Sequence, residues 1–266
     1  MKKKDILQKI KESKKYIVTK CKIKPKTAII CGSGLSNIKS IIEQKNVIPY
    51  SKIPYFKQST VEGHVGELVL GKIKSTDIIL FNGRVHYYEG YTMQDISYPV
   101  RIMKALGVEN IIITCAVGAI NKKYNVGDIV VIKDHINFMC DNPLIGKHYK
   151  EFGNRFPDMT NIYDKIILKQ ILKFAKNNKI KIHEGIYFAV SGPSYETPAE
   201  INAYRKLGGD VVGMSLVPES IVANQMNIKV TALTYISNKA SGLSKNSLTH
   251  KEVLQAGKNA AISIEK

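Results

Sequence analysis

Short apolar runs alternate with amphipathic segments along almost all of this 266-residue chain, and this alternation restricts the fold more than any other feature. Thr27–Cys31 and Asn110–Cys115 are compact apolar runs of strand length, each ending at a small or glycine-bearing turn. Glu67–Ile73 and Asp77–Asn82 read as two paired strands, and Asp128–Lys133, His183–Val190, Val211–Gly213 and Ile228–Ser237 as further strands. Between them, Ser36–Glu43, Ile96–Leu106, Tyr163–Lys176, Ala199–Leu207, Pro218–Gln225 and His250–Ile264 read as helices. Near the start, Ile6, Leu7, Ile10 and Ile17 fit a surface helix. This order predicts an α/β fold, a central mixed or parallel sheet covered by helices. No linker, repeat or low-complexity stretch divides residues 1–266, so one domain is expected. Asp134–Thr160 reads as a long irregular excursion, of the kind that carries function or partner contacts.

The formal net charge is +18, which invites a nucleic-acid reading. The excess is nearly all lysine, however: the arginines are Arg84, Arg101, Arg155 and Arg205. Base-reading surfaces favour the bidentate guanidinium, and no nucleic-acid-binding signature is present. A solvated lysine-rich surface that attracts anionic substrates is the simpler reading. No apolar run reaches membrane-spanning length, and the basic N-terminal segment lacks the apolar core and cleavage site of a signal peptide. Cys21, Cys31, Cys115 and Cys140 are scattered without metal-ligand spacing, which points away from a disulfide framework and toward a reducing cytoplasm.

Residues 83–90, Gly-Arg-Val-His-Tyr-Tyr-Glu-Gly, follow the apolar run Ile78–Phe81. If the extended geometry continued, Arg84, His86 and Tyr88 would share one face, suited to a small anionic or polyhydroxylated ligand. Ligands of open α/β sheets bind at the carboxyl ends of strands. Those ends carry Ser33, Arg84-Val85-His86, Ala116-Val117, Ser194-Tyr195-Glu196, Met214-Ser215 and Ser237-Asn238. Gly32-Ser33-Gly34, between a strand and a helix, could hold an anion at the helix N-terminus; the plain alternative is a tight turn with Ser as cap. It has neither P-loop nor dinucleotide-fingerprint spacing, and no nucleophile elbow is present. His64 reads as a loop histidine, Tyr88 equally as a packed aromatic or a ligand contact. Glu196 reads as a ligand-facing carboxylate or a helix cap near Thr197. No metal-ligand spacing occurs.

Beyond these readings, the chain resembles the trimeric-type purine nucleoside phosphorylases of the nucleoside phosphorylase/methylthioadenosine phosphorylase family. The resemblance runs from about Thr27 to the C-terminal helix, through motifs in order. These are Cys-Gly-Ser-Gly-Leu at 31–35, Gly-His-Val-Gly at 63–66, Gly-Arg-Val-His-Tyr-Tyr-Glu-Gly-Tyr at 83–91, Gly-Asp-Ile-Val at 127–130 and Asp-His-Ile-Asn at 134–137. Phe-Gly-Asn-Arg-Phe-Pro-Asp-Met at 152–159, Gly-Pro-Ser-Tyr-Glu-Thr at 192–197, Val-Gly-Met-Ser at 212–215 and Val-Pro-Glu at 217–219 follow, then Ser-Asn-Lys at 237–239 and His-Lys-Glu-Val-Leu at 250–254. Cys115 stands where many members have Asn, and Tyr195 where Phe is common.

The resemblance implies a single nucleoside phosphorylase domain and a set of roles. Ser33, Arg84, His86, the backbone near Ala116 and Ser215 would bind phosphate, with His64 closing over it. Tyr88 and Met214 would hold the ribose, and His250 its 5′-hydroxyl. Tyr195 would stack near base and sugar, while Glu196 and Asn238 would read the purine; His86, Glu196 and Asn238 are the groups set closest to the chemistry. Phe156 would be lent to the neighbouring subunit's site in a homotrimer. The implied reaction is phosphorolysis of 6-oxopurine nucleosides, with inorganic phosphate as co-substrate and no cofactor or metal, as part of purine salvage. Methylthioadenosine phosphorylase is the alternative within the enzymes; a basic nucleic-acid-binding α/β protein and a catalytically dead nucleoside-binding module are the alternatives outside them.

Overall fold

The computed structural model describes residues 5–61, 65–244, 256–257 and 264. In chain order its main elements are α1 (Ile6–Lys20), β1 (Thr27–Cys31), β2 (Glu43–Pro49), β3 (Glu67–Ile73), β4 (Thr76–Asn82), α2 (Met93–Leu106) and β5 (Asn110–Ala119). Then follow β6 (Ile129–Asn137), α3 (Lys165–Asn177), β7 (Ile182–Ala189), α4 (Pro198–Lys206), β8 (Val211–Gly213), α5 (Val217–Gln225) and β9 (Lys229–Lys239). The expected α/β architecture is present: nine strands form one mixed sheet in the order β2-β3-β4-β1-β5-β8-β7-β6-β9.

Both faces of the sheet are apolar because both are covered. Along β1, β3 and β4 the alternation sends Ala28, Ile30, Leu68, Leu70, Ile79 and Phe81 into one buried cluster. It sends Ile29, Cys31, Val69, Ile78 and Leu80 into another. The N-terminal helix is held by an Asp5 cap on the Leu7 N–H at 3.2 Å, and it buries Ile10, Ser13 and Ile17.

β9 also pairs in parallel with β5, so β5, β8, β7, β6 and β9 close into a ring. This leaves β5 with an unusual flank. On the side away from β9 its first half pairs with β1, as far as Ile113. Its end pairs with β8, beginning at Gly118. Thr114–Val117 lie between the two, where one strand partner has ended and the next has not begun.

Several elements differ from the sequence reading. The helix expected over Ser36–Glu43 is a short 3-10 turn, Ser36–Ile41, followed by β2. β2 has no apolar alternation to reveal it, since Ile48 is its one buried residue. β5, β6 and β9 run past their expected ends into small or polar residues, because neighbouring strands supply the hydrogen bonds. The irregular excursion therefore begins after Asn137. Of the helix expected over His250–Ile264, Ala256, Gly257 and Ile264 are described, and all three are helical.

Candidate active site

A cleft of about 710 Å³, counted out to its open mouth, lies over the split flank of β5. Ser33, Arg84, His86, Tyr88, Ala116, Tyr195, Glu196, Met214, Ser215 and Asn238 all line it. Gly32, Cys115, Val117, Gly118, Val212, Gly213 and Ser237 complete the lining. Thus the carboxyl ends of β1, β4, β5, β7, β8 and β9 meet here, as the strand-end reading expects. Phe156 does not line the cleft; it lies on the segment after β6 and is 88% exposed. His64 and His250 lie outside the described residues.

Arg84, His86 and Tyr88 do converge, but not by continuation of a strand. β4 stops at Asn82, Gly83 takes φ +110, and Tyr87–Glu89 form a 3-10 turn. The turn stacks the His86 ring on Tyr88, with centroids 4.8 Å apart and planes 11° apart. Glu89 fixes the turn. Its carboxylate accepts from the His86 N–H at 2.8 Å, His86 Nδ1 at 3.0 Å, the Thr60 N–H at 2.6 Å and Thr60 Oγ1 at 2.8 Å. Burial alone would raise the Glu89 pKa, but the hydrogen bonds from His86 and Thr60 outweigh it and hold it down at about 2. Burial lowers the His86 pKa, opposed by its bond to Glu89 and assisted by the Arg84 charge. The carboxylate can only accept, so Nδ1 carries the proton of the neutral ring and Nε2 is the ring's acceptor.

Arg84 is fixed from two directions. Nη1 meets both oxygens of Glu219 at 3.2 Å, and Nη2 donates to the Thr114 carbonyl on the split flank. Both members of the ion pair are buried. Glu219 stands in the first turn of α5, directly after Leu216, whose φ of +69 and ψ of −51 make a γ-turn closed by the Val217 N–H on the Ser215 carbonyl at 2.8 Å. That turn aims Met214 and Ser215 at the cleft, and the Ser215 N–H donates to Tyr187 Oη at 3.2 Å. Gly32 sets the opposite wall: a Cβ on it would lie 2.7 Å from both Cys115 Cα and the Thr114 carbonyl oxygen. Because the 3-10 turn after it is so short, the Ser33 turn presents its own groups rather than a helix end.

Beside Glu196, Thr197 and Glu200 close the capping box of α4: Glu200 N–H to Thr197 Oγ1 at 3.2 Å and Thr197 N–H to Glu200 Oε2 at 2.7 Å. Glu196 is therefore not needed as a cap, and its carboxylate lines the cleft. Burial raises its pKa, with a further push from Glu200. Asn238 accepts from Ser237 Oγ at 2.6 Å and donates to the Lys239 carbonyl at 3.0 Å, which fixes its amide and leaves a second N–H to donate. The sequence reading placed Ser237 among the strand-end residues but gave no role to Glu89 or Glu219. Glu89 had a signal, its three-residue spacing from His86; Glu219 reaches Arg84 across 135 positions and had none.

Residues 26–266 match the profile of the phosphorylase superfamily. The chain is 49% identical over 231 residues to purine nucleoside phosphorylase 1 of Bacillus subtilis, covering 87% of this chain and 85% of that protein. It is 40% identical over 261 residues to the purine nucleoside phosphorylase of Bos taurus, covering 96% and 90%. Its fold is similar, with a TM-score of 0.92 and 43% identity, to isoform 2 of purine nucleoside phosphorylase from Schistosoma mansoni in complex with cytosine and ribose-1-phosphate, covering 97% of this chain and 93% of that one. A second S. mansoni purine nucleoside phosphorylase, in complex with inosine, gives a TM-score of 0.92 at 36% identity, covering 97% and 93%.

Proposed function

This chain belongs to the purine nucleoside phosphorylases of the phosphorylase superfamily, and on that premise we propose that it cleaves 6-oxopurine nucleosides with inorganic phosphate, releasing free purine and (deoxy)ribose 1-phosphate for purine salvage. One observation carries the proposal. A buried guanidinium, two hydroxyls and an imidazole share a single cleft with a carboxylate and an oriented amide. The first set suits a phosphate, the second a purine edge.

Breaking the glycosidic bond builds positive charge on the sugar and negative charge on the departing base. Phosphate is both nucleophile and counter-charge. Arg84, with Ser33, Ser215 and the backbone near Ala116, positions it beneath the anomeric carbon. Glu219 and Thr114 hold the guanidinium plane, so the cation is already oriented when the anion binds. His86 Nε2 accepts the proton of a hydrogen phosphate, and His64 closes over the bound anion. Tyr88 and Met214 hold the ribose, His250 its 5′-hydroxyl, and Tyr195 packs beside base and sugar. As negative charge grows on the purine, Asn238 donates to N7 or O6. Glu196 accepts from N1–H, which 6-oxopurines carry and adenine lacks. Phe156, exposed on its own subunit, completes the neighbouring site of a homotrimer. The reaction needs no cofactor, and the four free thiols fit a cytoplasmic setting.

Purine release from inosine is the direct test, run with and without phosphate beside adenosine and methylthioadenosine. The expected result is phosphate-dependent release that is fastest with inosine or guanosine. Release without phosphate would mean a hydrolase, and equal turnover of methylthioadenosine would remove Glu196 and Asn238 from their roles.

A further inference from the structure

β4 ends at Asn82, and its pairing on both sides ends there too: Asn82 lies opposite Cys31 of β1 and opposite Glu67 of β3. Asn82 is itself fixed, because its side-chain amide donates to Glu67 Oε1 at 2.9 Å and Lys39 Nζ donates to the same oxygen at 2.6 Å. Gly83 is therefore the first residue beyond the ladder. Its φ of +110 turns the chain toward Arg84, and its N–H closes back on the Phe81 carbonyl at 3.1 Å. Its carbonyl has no strand to pair with, and a buried carbonyl without a donor is costly. The Tyr50 hydroxyl supplies the donor at 2.9 Å, in a buried position.

Tyr50 is held so that this hydroxyl cannot wander. It opens the 3-10 turn Tyr50–Lys52 directly after β2 and is 4% exposed. Its N–H donates to the Gly66 carbonyl at 2.8 Å, and its carbonyl accepts from the Ile53 N–H at 3.0 Å. The Gly66 N–H donates in turn to the Asn82 carbonyl at 3.0 Å. The Tyr50 ring packs against Phe56 and Phe81, with centroids 5.2 and 6.5 Å away. Burial pushes the phenol pKa well above its ordinary value, so the hydroxyl remains a donor at neutral pH. Tyr50 does not line the cleft. We propose that Tyr50 is a positioning residue for the anion end of the cleft: by holding the Gly83 carbonyl it sets the point at which the turn carrying Arg84 and His86 leaves the sheet. Glu219, Thr114 and Glu89 orient the far ends of those two side chains. Tyr50 fixes the backbone from which they start. This role rests on Arg84 and His86 being the phosphate contacts.

Tyr50→Phe keeps the ring and removes only the hydroxyl, and the comparison is made well below the melting temperature of either protein. Equilibrium dialysis with radiolabelled inorganic phosphate is expected to show about tenfold weaker binding to the variant than to the unaltered chain, and the KM for phosphate should rise by a similar factor. The KM for inosine and kcat at saturating phosphate should stay within about threefold, a split that a general loss of folded protein would not produce. Arg84→Ala, in the same dialysis, is the control. If it abolishes phosphate binding while Tyr50→Phe leaves it unchanged, Tyr50 has no positioning role. Equal rises in the two KM values would overturn the role as well, because Tyr50 would then support the cleft as a whole. Undiminished phosphate binding by Arg84→Ala is a separate result: it would show that the phosphate end is wrongly assigned, and the role of Tyr50 would fall with it.

Discussion

His86 owes both its tautomer and its orientation to one carboxylate, and that dependence has a measurable stability consequence. The Glu89 pKa is depressed from 4.5 to about 2. Its stabilising contribution is therefore complete above the ordinary carboxyl range and is lost as pH falls through about 4 toward 2, on the order of 3 kcal/mol in all. Glu89→Gln should flatten this part of the acid-unfolding curve, seen in urea midpoints between about pH 5 and pH 2.5; an unchanged slope would show that Glu89 holds nothing. Glu196 shifts the opposite way. It takes up a proton at a higher pH than an ordinary carboxyl, and the protonated form can donate to adenine N1. The proposed preference for inosine over adenosine should therefore narrow as pH falls, measured as a ratio of kcat/KM values. At this scale the sequence was informative where neighbours act together: Arg84, His86 and Tyr88 fall within one turn. It was silent where a contact is purely tertiary, as for Glu219 on Arg84 and Arg101 on Phe152.

The elements explain which parts of the fold could be read in advance. Strands buried on both faces declare themselves as apolar runs, so β1, β4 and β8 were legible almost to the residue. β2 was not, because its exposed side chains carry no period. The 83–90 segment was read correctly as a convergence but for the wrong reason, since a 3-10 turn and not a pleat brings its side chains together. The close approach of the β1 turn to β5 makes the strongest element-level prediction. A methyl on Gly32 would collide with backbone atoms of Thr114 and Cys115, which no rotamer change can relieve. Gly32→Ala should cost about 3 kcal/mol and lower the melting temperature by roughly 5–10 °C. It should also weaken phosphate more than nucleoside, because the displaced strand carries the Arg84 anchor. A variant that melts with the unaltered chain would contradict the 2.7 Å approach.

At the scale of the whole molecule, the proposed trimer makes each site a shared one. Arg84→Ala and Phe156→Ala should each be nearly inactive alone. Chains of the two kinds, mixed and allowed to exchange, should regain about a quarter of the sites, wherever a Phe156→Ala chain meets an Arg84→Ala neighbour that still has its phenylalanine. No recovery after confirmed subunit exchange would mean that Phe156 acts within its own chain or not at all. The ring in the sheet has a separate consequence. An open sheet exposes two rows of unpaired peptide groups, and each can template the addition of a foreign strand. Here β9 turns back onto β5, so among the described residues one long row is left, along β2. That strand holds Glu43 and Lys45, shifts register between Glu43 and Asn46, takes φ +47 at Gln44, and ends in Pro49. Charge, bulge and proline are the features that blunt a sheet edge against fibril growth. The closure that gathers the cleft thus also confines the hazard of edge-to-edge aggregation to one strand poorly suited to it.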